Sequence, residues 1–160
     1  MFSQAQNSQF SSDGRNHFES HSAPQPAAVK QQLILLVEDN TDRCNMLRTL
    51  LELWNYRVIE AHNGEEAVRL AKSESPQLIL MDVAIPVVDG MEATRRIREF
   101  ASADKLPVVF ISGYAQTGFR LMALACGGNE YLIKPIDFKE LEIMLGKYIK
   151  KIETTCEWND

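Results

Sequence analysis

The chain has 160 residues, 45% of them hydrophobic and 24% charged, with a formal net charge of -5 at pH 7, which suits one domain of ordinary size with polar tails. The acidic balance excludes a nucleic-acid binder that works by neutralising phosphates, and no apolar run approaches the ~20 residues of a membrane helix. The N-terminus has neither the basic nor the apolar region of a secretory signal, and Cys44, Cys126 and Cys156 lie far apart without ligand spacing, so they read as reduced thiols of a cytoplasmic protein.

Residues 1–32 are rich in Ser and Gln, with Pro24 and Pro26 near their end, a composition that buries too little apolar surface to offset chain entropy and reads as a disordered leader. From Leu33 the pattern changes to apolar runs alternating with amphipathic stretches. LILLV (33–37) reads as a first strand. Asn40 caps a helix whose apolar face is Leu47, Leu50, Leu51 and Trp54, at the spacing of one helical stripe. YRVIEA (56–61) is a second strand, and Asn63-Gly64 turns into the helix GEEAVRLAKSE. LILMD (78–82) is a third strand, followed by a loop and the helix MEATRRIREFA (91–101). PVVFIS (107–112) is a fourth strand, and a less polar helix over about 117–125 ends at Gly127-Gly128. YLIK (131–134) is a fifth strand, and a last helix from about Phe138 carries Leu141, Leu145, Tyr148 and Ile152 on one stripe. Residues 153–160 are too few to fold, so the folded unit is expected over 33–152, standing alone.

Strands alternating with helices imply right-handed βαβ crossovers and a doubly wound parallel α/β sheet with helices on both faces. In such sheets the functional crevice lies beyond the carboxyl ends of the strands. Strand one delivers Glu38 and Asp39 there, strand three Asp82, strand four Ser112 and strand five Lys134. In the order 2-1-3-4-5, strand three has strands one and four beside it, about 4.8 Å away. Crowded carboxylates repel unless a cation stands among them, and an all-oxygen set suits Mg²⁺. A hydroxyl, an ammonium and a metal around one carboxylate form a cradle for a phosphoryl group.

The stretches LVEDN, DVAIPVVDG, VVFISGYA and GGNEYLIKP, in this order and spacing, resemble the receiver domain of two-component response regulators, a family with this flavodoxin-like order. The resemblance covers about residues 33–152. It implies that Asp82 accepts a phosphoryl group from a phosphohistidine of a histidine kinase or a histidine phosphotransfer protein, and that Glu38, Asp39, Asp82 and the Ala84 backbone carbonyl hold Mg²⁺. It further implies that Lys134 and Ser112 contact the phosphate, that Ser112 and Tyr131 are the switch pair, with Tyr131 turning inward after phosphorylation, and that the Lys134–Pro135 bond is cis. Ala84 and Tyr114 stand where such receivers set the rate of dephosphorylation, which Ala84, lacking a polar group, and a bulky Tyr114 over the phosphate would slow. Signalling is expected through a protein target, with no nucleic acid or membrane contact. The apolar run LMALAC (121–126) either buries deeply or forms a face at which phosphorylation alters partner binding or dimerisation. Departures are mild: Glu38 for a commoner Asp, Ser112 for Thr, Gly113 for Ala, and Asn55 for a Gly, a site that needs a left-handed backbone. The alternative, a Mg²⁺-dependent hydrolase with an Asp nucleophile, lacks a second acid, since position 84 is Ala.

Overall fold

The structure is a computed structural model that describes residues 30–149. The leader to residue 29, Ile152 and the C-terminal tail lie outside them. Five strands and five helices alternate: β1 (Leu33–Val37), α1 (Thr41–Leu53), β2 (Arg57–Ala61), α2 (Gly64–Glu74), β3 (Leu78–Asp82), α3 (Gly90–Arg98), β4 (Val108–Ser112), α4 (Thr117–Ala125), β5 (Glu130–Ile133) and α5 (Phe138–Tyr148). All pairings are parallel, in the order β2-β1-β3-β4-β5. This is the expected flavodoxin-like α/β architecture.

The continuous apolar runs follow from burial on both faces. In β1, Ile34 and Leu36 face the layer that holds Cys44, Leu47 and Leu51 of α1 with Leu141 and Leu145 of α5. Leu35 and Val37 face Ala67 and Ala71 of α2, Ala93 and Ile97 of α3 and Ala123 of α4. The period-2 alternation of the strands thus feeds two cores at once. The buried stripe of α1 is Cys44, Leu47 and Leu51, whereas Leu50 and Trp54 are only partly buried at its margin.

The helix starts are set by side-chain caps: Asn40, Asn63, Asp89 and Asp137 each accept a backbone N–H from the first turn, satisfying donors that the helix itself cannot. Asn55 has φ 68, the left-handed backbone its place in the turn calls for. Gly127 has φ +106 and closes α4, where a side chain would strain the backbone. The Lys134–Pro135 bond is cis. Helix α3 stops at Arg98, three residues short of the expected end, because the next N–H groups bond three residues back: Glu99 to the Arg96 carbonyl and Phe100 to that of Ile97. Strand β5 runs from Glu130 to Ile133, so Lys134 lies one residue beyond it.

Candidate functional site

The strand register brings the polar ends together. Asp82 is the last residue of β3 and is only 3% exposed, and Glu38, directly after β1, is 2% exposed. The Glu38 N–H donates to the Ala61 carbonyl (3.0 Å), which continues the β1–β2 ladder to that point. Lys134 is fixed the same way on the other side, its N–H donating to the Ser112 carbonyl (2.8 Å). From there its Nζ reaches Asp82 Oδ2 at 2.7 Å and Glu38 Oε2 at 3.2 Å. The Ala84 N–H donates to Asp82 Oδ1 (3.0 Å), so both Asp82 oxygens carry a donor. Gly90 opens α3 directly under this loop, and a Cβ there would overlap the Asp82 carbonyl.

Asp39 is the exposed member of the acid group. Carboxylate oxygens of Glu38, Asp39 and Asp82 lie within 4.8 Å of one another. These are hard oxygen donors around one point, and they fit the few carboxylate ligands that Mg²⁺ takes. The electrostatics of the two buried acids diverge. Burial raises the Asp82 carboxyl above its ordinary range, which Lys134 and the Ala84 N–H only partly offset, and the neighbouring Glu38 charge adds to the rise. Burial also works to raise Glu38, but Arg43, the Asn40 N–H and Lys134 together overcome it and hold the carboxyl well below its ordinary range.

Arg43 is the residue that the strand-end reading missed. Its Nε and one Nη grip Glu38 at 3.0 and 2.7 Å. The signal available was its position four residues after Asp39, in the first turn of α1, where i,i+4 acid–base pairs meet. Beside these residues an apolar pocket of about 490 Å³ opens, lined also by Met46, Ile136 and Phe138.

Ser112 is fully buried at the end of β4, and its Oγ accepts the Tyr114 N–H (3.1 Å). Tyr131 is already inward in this structure: it is 3% exposed, and its hydroxyl donates to the Tyr114 carbonyl (2.7 Å). A buried tyrosine needs such an acceptor, and the β4–α4 loop supplies it. Tyr114 itself stacks on Phe119 in the first turn of α4, with ring centroids 4.5 Å apart. Ala84 is exposed and offers no side-chain polar group, so the site has no second acid at that position.

A family model for the response regulator receiver domain matches residues 34–146. An uncharacterised 14.6 kDa protein of Leptolyngbya boryana is 39% identical over 120 residues, which is 75% of this chain and 92% of that protein. The transcriptional regulatory protein ZraR of Klebsiella oxytoca is 34% identical over 114 residues, 71% of this chain, but the match spans only 25% of ZraR. Among solved structures, the receiver domain of the sensor histidine kinase PA1611 from Pseudomonas aeruginosa PAO1 superposes with a TM-score of 0.68 at 37% identity, covering 74% of this chain and 97% of that domain. That structure holds a magnesium ion coordinated in its active site cleft. With fold, strand-end acids and family model in agreement, the chain belongs to the receiver domain family of two-component response regulators.

Proposed function

We propose that Asp82 is the phosphoacceptor and that the chain works as a phosphorylation-dependent signalling switch in the cytoplasm. The observation that carries this reading is the convergence of the Lys134 ammonium and two further carboxylates on a buried Asp82. The donor is a phosphohistidine of a histidine kinase or a histidine phosphotransfer protein. The Asp82 carboxylate attacks phosphorus in line with the leaving imidazole nitrogen; the P–O bond forms as the P–N bond breaks, and the imidazole leaves with the bonding pair. A Mg²⁺ ion held by Glu38, Asp39, Asp82 and the Ala84 carbonyl would neutralise charge on the phosphoryl oxygens. Lys134 keeps its hold on the phosphorylated side chain, and the Ser112 hydroxyl moves to a phosphate oxygen. The Tyr114 backbone then follows Ser112, because its N–H is bonded to the Ser112 Oγ, and Tyr131 is bonded to that same backbone. Ala84 and Tyr114 set the lifetime of the acyl phosphate by controlling the approach of water.

Acetyl phosphate with Mg²⁺ tests the assignment. Label is expected on Asp82 alone, to be absent in Asp82→Ala and weak in Asp39→Ala. Full labelling of the Asp82 variant, or labelling indifferent to a chelator, would refute it. Once the donor is removed, the label on Ala84→Asn/Tyr114→Glu is expected to decay faster than that on the parent. Equal decay would show that these two side chains do not gate water.

A further inference from the structure

The Arg43 guanidinium lies among the three carboxylates that a divalent ion would need. Besides its two-pronged grip on Glu38, it is 3.7 Å from Asp39 Oδ1 and 3.9 Å from Asp82 Oδ2. Acids this close repel one another unless cations separate them. Two side chains, Lys134 and Arg43, supply that positive charge, leaving one negative charge over. Their mountings differ. Lys134 is 21% exposed and is tied to the sheet edge through its backbone. Arg43 is 45% exposed and hangs on a flexible stem from the first turn of α1. Its guanidinium can leave toward the neighbouring pocket without any movement of the helix.

A guanidinium and a divalent ion want the same oxygens. The fork on Glu38 engages both carboxylate oxygens, and an ion beside it would place two positive centres within roughly 4 Å in a half-desolvated cleft. We infer that Arg43 is a resident counter-cation that competes with the divalent metal for Glu38, Asp39 and Asp82, so that metal entry expels the guanidinium and Arg43 lowers the metal affinity of the site. The inference rests on the reading that a divalent ion binds this cluster. Replacing one positive charge by two takes the group from one net negative charge to none, with Lys134 in place throughout. The consequence is a threshold: Arg43 stays in the site, offsetting one of its charges, until the metal is abundant enough to displace it. The competing account is that Arg43 merely holds Glu38 in shape for the metal, and it predicts the opposite effect of removal.

Titrating the full chain with Mg²⁺ by calorimetry, and with Mn²⁺ by electron paramagnetic resonance, separates the two. Arg43→Met keeps an apolar stem without charge, and Arg43→Lys keeps the charge without the fork. Arg43→Met is expected to bind the metal about five- to tenfold more tightly than the parent, with Arg43→Lys between them. Its Tm should lie below that of the parent in chelator and recover that difference in saturating Mg²⁺, because the ion replaces the lost charge. A parent that binds while Arg43→Met binds equally or more weakly, or a Tm deficit that Mg²⁺ does not close, overturns the inference and leaves the metal reading intact. No metal binding by the parent overturns both.

Discussion

At the scale of single residues, the ion pairs of this protein divide into those that hold the fold and those that crowd the crevice. Glu130, at the start of β5, belongs to the first kind: Lys147 donates to its Oε1 at 2.6 Å and the Tyr148 hydroxyl to the same atom at 2.9 Å, pinning the end of α5. The Lys147 bond holds the Glu130 carboxyl below its ordinary range, against the opposing effect of partial burial, with Tyr148 assisting. A carboxyl depressed in the folded state contributes stability above its unfolded value of about 4.3 and loses it as pH falls through the folded value. Glu130→Gln is therefore expected to lower Tm by roughly 3 °C at pH 7, for a loss of about 1 kcal/mol, with the gap closing as the pH drops below about 4. A gap that stays constant from neutral to acid in thermal melts would assign the effect to packing rather than charge. Such pairs were invisible in the sequence, because Glu130 and Lys147 meet only through the packing of α5 on β5. Glu38, Asp39, Asp82 and Lys134 were legible because each closes or follows an apolar run, and a parallel sheet sends all such ends to one edge. Arg43 was not, since its place depends on a side chain reaching back from a helix toward the strand before it.

At the scale of elements, α4 stands apart. Its sequence allowed deep burial or a contact face, and the structure divides the helix between them. Ala123 is buried against the sheet, while Leu121 is 61% and Met122 54% exposed, with Ile133 of β5 also exposed. No side chain caps its first turn, and neither its first nor its last turn carries a charge suited to the dipole, so α4 has fewer local restraints than its neighbours. It is also the helix that follows the Ser112–Tyr114 loop, and the Tyr114–Phe119 stack links the two. Phosphorylation at Asp82 is expected to change self-association or partner binding through this face. Leu121→Glu should remove that response in sedimentation or pull-down experiments while shifting Tm by less than ~2 °C, since an exposed side chain contributes little to packing. A phosphorylated Leu121→Glu protein that still associates like the parent would exclude the face. Element boundaries were legible to within a few residues wherever a cap or glycine marked them. The end of α3 was not, because the residues after Arg98 keep helical composition while the Glu99 and Phe100 N–H groups tighten to carbonyls three residues back.

At the scale of the whole molecule, the sheet has an acid-crowded end and a hydrogen-bonded structural end. The carboxyl ends of the strands carry the crowded acids, whose mutual repulsion costs stability. At the opposite end, the β4 and β5 side carries a polar hub. Arg98 closes α3 and donates to the carbonyls of Gly127 (2.8 Å), Leu106 (2.9 Å) and Ala101 (3.2 Å) and to Asn129 Oδ1 (3.2 Å). Asn129 in turn accepts the Val108 N–H (3.0 Å) and donates to the Ala103 carbonyl (3.0 Å). One guanidinium thus ties together the α3–β4 connection, the start of β4 and the α4–β5 turn. Burial lowers the Arg98 pKa from its ordinary value, yet an arginine stays charged at any physiological pH, so the hub keeps its donors. Removing it strands several part-buried carbonyls, each of which costs more unpaired than its bond contributed. Arg98→Met is expected to destabilise by about 3 kcal/mol, or roughly 10 °C in Tm for a domain of this size. Because the hub lies across the sheet from Asp82, the variant should retain the parent's Mg²⁺ affinity and acetyl phosphate labelling rate when both are measured well below its Tm. If labelling fell while the protein remained fully folded by circular dichroism, the two ends of the sheet would have to be coupled, and this division of labour would be wrong.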